Sequence, residues 1–224
     1  MTTGGVFAVM RKRSWLVAAL LALPYVTLAA PRKPEPVPPN QWEFVPGVRV
    51  GAITARTSES DLARIFGGEH VERRPLPAPD GGWRLGTVVL GKTHDALEIL
   101  WRDSNFTTPE RIIIGGGKTR WRSADGITIG TTLQDLAKLN GRPFQLRGFG
   151  REGGGMVASW EGGRLGGDYR LGETVLVRLG PDQDFGELTD GERRQILGSG
   201  TVSSATPSLA KLGVRVWEIV VLFR

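Results

Sequence analysis

Thr57-Ser58-Glu59-Ser60-Asp61-Leu62-Ala63-Arg64-Ile65-Phe66-Gly67 and Thr131-Thr132-Leu133-Gln134-Asp135-Leu136-Ala137-Lys138-Leu139-Asn140-Gly141 are the two stretches that decide the fold. In the first, Ser58 stands three residues before Asp61. At that spacing a hydroxyl caps a helix and the acid returns the bond. Leu62, Ile65 and Phe66 follow at helical spacing, and Gly67 is the expected stop. The second stretch repeats the pattern with Thr132, Asp135, Leu136 and Leu139, then Gly141 and Pro143. The two overlay without a gap. Thr57, Asp61, Leu62, Ala63 and Gly67 fall on Thr131, Asp135, Leu136, Ala137 and Gly141, and upstream Ile53-Thr54 falls on Ile127-Thr128.

Strand patterns follow each helix. Trp83–Gly91, Ala96–Arg102 and Arg111–Ile114 read as strands in the first half. Phe144–Phe149, Met156–Glu161, Glu173–Leu179 and Val214–Phe223 do so in the second. Leu97, Ile99 and Trp101 are expected on one face, and so are Val214, Val216, Glu218 and Val220. Two minor helices are expected at Thr189–Ile196 and Pro207–Leu212. The 32 glycines and 14 prolines favour short elements joined by turns. The fold class is therefore α+β, with two repeated units of a short helix packed on an antiparallel β-sheet, 42–123 and 124–224. Two ordinary capped helices sharing the same punctuation would also produce the match. The helices should pack through Leu62, Ile65, Phe66, Leu133, Leu136 and Leu139, leaving the other sheet face for a partner.

Residues 1–30 read as a secretory signal. Arg11-Lys12-Arg13 is a positive cluster, Trp15 to Val26 carries no charge, and Thr27-Leu28-Ala29-Ala30 supplies small residues for cleavage after Ala29. An uncleaved anchor is the rival, although the apolar run is shorter than the roughly 20 residues that span a bilayer. Residues 31–41 form a Pro-rich linker, extended by five prolines between Pro31 and Pro39. The expected location is periplasmic or secreted, with no stable membrane span after signal cleavage.

Signal removal takes three of the six net positive charges with it. The remaining excess is spread along the chain with no basic run, so nucleic acid is not an expected partner. The absence of cysteine excludes thiol catalysis, thiolate metal sites and a lipidated N-terminal cysteine.

The openings of the two units, Val50-Gly51 to Gly67 and Ile129-Gly130-Thr131-Thr132-Leu133 to Gly141-Arg142-Pro143, resemble those of the β-lactamase-inhibitor-protein-like architecture. The small outer-membrane assembly lipoproteins use a related single unit. Leu139-Asn140-Gly141-Arg142-Pro143-Phe144, with Gly148-Phe149 and Trp160, is similar to exported bacterial proteins of unknown function. The resemblance covers about a third of the domain and departs in lacking both lipidation and disulfide cysteines. It implies a tandem helix-plus-sheet fold and protein binding, and it transfers no functional residues.

Several motifs suggest chemistry that their context denies. Gly148-Phe149-Gly150-Arg151-Glu152-Gly153 matches a dinucleotide fingerprint, but a strand follows where a helix N-terminus is needed, so a hairpin turn is expected. Asp184-Phe185-Gly186 lacks the histidine-containing catalytic loop of a kinase, because His70 and His94 both precede the glycine loop. Gly115-Gly116-Gly117-Lys118-Thr119 lacks the first glycine of a phosphate loop, Ile112 standing there, and also reads as a turn. His70 and His94 have no metal-ligand spacing and are expected in loops. Glu43, Asp95, Glu98 and Asp103 are carboxylates that could line a glycan cleft. No catalytic, cofactor or metal residue is assigned.

The tryptophans carry the functional expectation. Trp101, Trp160 and Trp217 are expected in the core. Trp83 and Trp121 fit either the core or an exposed platform, which with Arg120 and Arg122 would form a binding patch. The expected function is non-catalytic protein–protein binding in the cell envelope, with an envelope protein as partner. The alternatives are a cell-wall or polysaccharide-binding module, and an envelope hydrolase with an unrecognised carboxylate pair.

Overall fold

Among the described residues antiparallel strands dominate, interrupted by four short α-helices. The computed structural model describes residues 1–2, 42–150, 152–198 and 200–224. All but the first two residues of the expected signal, and the whole of the linker, lie outside them. In chain order the elements are β1 (Phe44–Val45), β2 (Arg49–Val50), β3 (Ile53–Thr54), α1 (Glu59–Phe66), β4 (Val71–Pro77), β5 (Trp83–Val89), β6 (Leu97–Trp101) and β7 (Pro109–Gly115). They continue with α2 (Leu133–Asn140), β8 (Gln145–Arg147), β9 (Val157–Ser159), β10 (Val175–Gly180), α3 (Asp190–Leu197), β11 (Thr201–Ser203), α4 (Pro207–Lys211) and β12 (Arg215–Leu222). No helix of the described residues is long and apolar enough to cross a membrane.

The caps act where the spacing expects them. Ser58 accepts from the Asp61 N–H and Asp61 returns the bond, a full capping box. Thr189 and Glu192 do the same for α3. Thr132 caps α2, and Gly141, left-handed at φ +79°, ends it. α1 buries Leu62 and α2 buries Leu133 and Leu136. Truncating a leucine so enclosed to alanine costs about 2–5 kcal/mol.

The central sheet has six strands in the order β10-β12-β7-β6-β5-β4, all antiparallel. Two three-stranded sheets, β1-β2-β3 and β11-β8-β9, complete the α+β fold. After α1 the chain makes the continuous meander β4–β7. After α2 the strands divide between the central sheet and the sheet of β8, β9 and β11. Residues 42–123 and 124–224 thus contribute four and two strands to one sheet, and β12 beside β7 is the seam. Residues of both halves, from Phe44 to Phe223, share one hydrophobic core.

Three expectations change in the structure. β4 carries Glu72, Arg73, Arg74, Pro75 and Pro77 and has no strand signal, yet it pairs with β5 over its whole length. It is an edge strand, where a missing N–H costs no ladder bond. Trp217, expected in the core, is 62% exposed. The cause is a register shift: Arg178 faces Glu218 while Leu179 faces Val216, so Trp217 is an extra residue on β12. The same shift breaks the expected shared face. Val214 and Val216 enter the core before it, and Ile219 and Val221 after it, while Glu218 falls on the opposite side.

Candidate binding surfaces

Alternation along the strands sorts the central sheet into two faces. Ile99, Ile112, Ile114, Val177, Ile219 and Val221 enter the core. The intervening residues Glu98, Arg111, Ile113, Leu176, Arg178, Glu218 and Val220 line an open groove of about 620 Å³ on the other face. Arg147, Glu152 and Met156, from the β8–β9 hairpin, and the Pro77–Gly81 turn also line it.

Charges along this face are organised by the strands. Arg74 on β4 pairs with Glu98 on β6 at 2.9 Å, passing over β5. Gly86, the β5 residue opposite Arg74, is covered there by Leu76, which a Cβ on Gly86 would meet at 2.5 Å. Leu76, Val88 and Leu100 close into a small apolar cluster of their own. Glu110 accepts from Arg84 at 2.6 Å and from Arg111 at 2.8 Å. Burial pulls the Glu110 carboxyl upward, and these hydrogen bonds outweigh it and leave it below its ordinary value. Glu218 goes the other way. Burial raises its pKa, the facing Arg178 charge offsets part of the rise, and Glu98 adds to it.

The patch expected at Trp83, Trp121, Arg120 and Arg122 does not assemble. Trp121 is 2% exposed and donates its indole N–H to the Asp95 carbonyl at 2.9 Å. Its ring meets Trp42 edge-on at 4.8 Å. The guanidinium of Arg120 lies 3.5 Å from the centre of the Trp42 ring and pairs with Asp95. Arg122 exchanges backbone hydrogen bonds with Trp42 and Phe44 while its side chain is exposed. These three residues therefore fasten the chain entering at Trp42. Trp83 stands separately at the start of β5, 71% exposed, with exposed Leu85 on the same side of the strand.

The other candidate carboxylates are engaged structurally. Glu43 pairs with Arg49, and Asp103 accepts from the N–H groups of Asn105, Thr107 and Thr108. Only Glu98 among them reaches the groove. His70 and His94 are exposed, and no cluster of three or more His, Asp or Glu among the described residues could hold a metal. The glycine motifs are turns. β8 and β9 form the expected hairpin. Gly148 and Gly150 let it approach the last carbonyls of α3, where a Cβ would collide with Gly198 and Leu197 backbone oxygens. Asp184 caps a single 3-10 turn through the Gly186 N–H.

Sequence reasoning missed Arg111, Arg178 and Glu218 as surface candidates. Their signal is a charged residue at alternate positions of an otherwise apolar strand. No family model matches the chain, and it has no significant match among curated proteins or solved structures.

Proposed function

We propose that this is an exported, non-catalytic binding protein of the cell envelope, which takes a protein partner on the open face of its central sheet. The observation that carries the reading is the groove itself. Its apolar floor of Ile113, Leu176, Val220 and Met156 is bordered by Arg111, Arg147, Arg178, Glu98, Glu152 and Glu218. An apolar centre within a rim of both charge signs is the anatomy of a protein–protein contact. The signal-like N-terminus supports export, and the resemblance to tandem helix-plus-sheet binding proteins points to the same class of ligand.

The test is retention. The full chain and an Ile113→Arg variant are immobilised and exposed to envelope extract from the source of the protein. A protein held near stoichiometry by the wild type and lost by I113R, but kept by Trp83→Ala, supports the reading. Retention of cell-wall fragments alone overturns it in favour of a polysaccharide-binding module. The hydrolase reading has one observation in its favour, the shared groove of Glu98 and Glu218. It requires turnover of a glycan that Glu218→Gln abolishes while leaving binding intact.

A further inference from the structure

We infer that the cleft beside Trp217 is a second binding site, separate from the groove, and takes a sugar ring that carries an acidic group. Three backbone features converge there. The extra residue on β12 turns Trp217 out of the core and leaves its indole 62% exposed. Bulges re-aim side chains in this way. Gly180 lies beneath the indole, because a Cβ there would stand 3.4 Å from its atoms. Gly116 and Gly117 turn the chain at φ +80° and +113°, and a Cβ on Gly116 would meet nothing within 4 Å. The result is an open cleft of about 400 Å³ between two glycine walls, with more apolar than polar lining.

Its volume lies within the range of small-molecule pockets and suits a small ring. An aromatic face exposed beside a glycine wall offers stacking area to the C–H face of a pyranose. Sugar hydroxyls also need polar partners at the edge of the platform. Asp182 and Arg215, paired at 2.5 Å and each about half exposed, supply an acceptor and a planar donor. Lys118 on the opposite wall adds a cation. Among the described residues the lining thus holds two cations and one anion, Lys118, Arg215 and Asp182. That surplus selects an acidic substituent over a neutral ring.

The experiment titrates the full chain with oligogalacturonate and with uncharged cellohexaose, followed by indole fluorescence and calorimetry. Oligogalacturonate binds, shifts the emission and is preferred. Trp217→Ala weakens it by about tenfold or more, and Lys118→Gln by severalfold with loss of the preference for the acid. Trp83→Ala leaves binding unchanged. Thermal unfolding of W217A at the wild-type midpoint shows that the loss is local, and K118Q, on an exposed side chain, reads the same site independently. Failure of both probes to bind at millimolar concentration overturns the inference, as does wild-type affinity in W217A. Equal affinity for cellohexaose overturns the acidic preference.

Discussion

Asp95 and Arg120 meet through both backbone and side chain. The Arg120 N–H donates to one carboxylate oxygen at 2.7 Å and its Nε to the other at 2.8 Å. Asp95 is buried, and its own carbonyl receives the Trp121 indole. One short segment thereby holds the loop after β7 against the start of β6. Burial pulls the Asp95 carboxyl upward, and the hydrogen bonds and charge of Arg120 outweigh it, so its pKa ends below the ordinary value. A carboxyl lowered on folding stabilises above its unfolded pKa and loses that contribution as pH falls through the folded one. Asp95→Asn should cost about 1–3 kcal/mol at pH 7 in urea unfolding. The gap to wild type should close as the pH falls below the ordinary aspartate range. A gap that persists unchanged in acid would assign the loss to packing instead of charge.

Gly148 and Gly150 give a second prediction, because their glycine character answers to packing. Gly148→Ala and Gly150→Ala should each cost about 1–3 kcal/mol or more, since backbone oxygens cannot step aside as a side chain can. Gly191 inside α3 is the opposite case, with nothing within 4 Å of an added Cβ. Gly191→Ala should stabilise by about 0.4–1 kcal/mol. Thermal or urea unfolding of the three variants reads both signs.

The helices were legible because their signals are local. Ser58 with Asp61, Thr189 with Glu192, and Gly141 as a left-handed stop act within one turn of the chain. Strand interiors such as Leu97–Trp101 were legible from their apolar run. β4 was not, because an edge position excuses prolines and charges that a central strand would refuse. Trp217 was not, because a bulge is a mismatch in count between two strands and leaves no mark on either. The groove draws Glu98, Arg111, Arg178 and Glu218 from four strands, so only the sheet order brings them together.

Tryptophan exposure offers a direct check of that sorting. Trp83 and Trp217 are open to solvent, whereas Trp101, Trp121 and Trp160 are enclosed. Trp83→Phe and Trp217→Phe should each remove part of the emission that acrylamide quenches. Trp121→Phe should leave the quenchable part intact and cost about 0.5–1.5 kcal/mol through the lost bond to the Asp95 carbonyl. A quenchable signal that falls in W121F and not in W217F would contradict the bulge on β12.

Glu218 should respond to pH in the sense opposite to Asp95. It faces Arg178 across the β10–β12 pair, yet burial raises its pKa and Glu98 adds to the rise, so the Arg178 charge does not fully compensate. A carboxyl whose folded pKa lies above its unfolded one adds no penalty below both values. As pH rises through the window between them, the folded state holds its proton longer and loses stability relative to the unfolded chain. At neutral pH the ionised group is therefore a burden on the fold. Glu218→Gln keeps the shape and removes the charge, so it should be more stable than wild type at pH 7 and equal to it in acid. The comparison requires denaturant unfolding of both proteins at several pH values. A less stable E218Q at pH 7 would mean that Arg178 draws more from the ionised carboxylate than burial takes away. A charge kept in the groove at a cost to stability is what a binding face requires, because the uncompensated part of it remains for a partner.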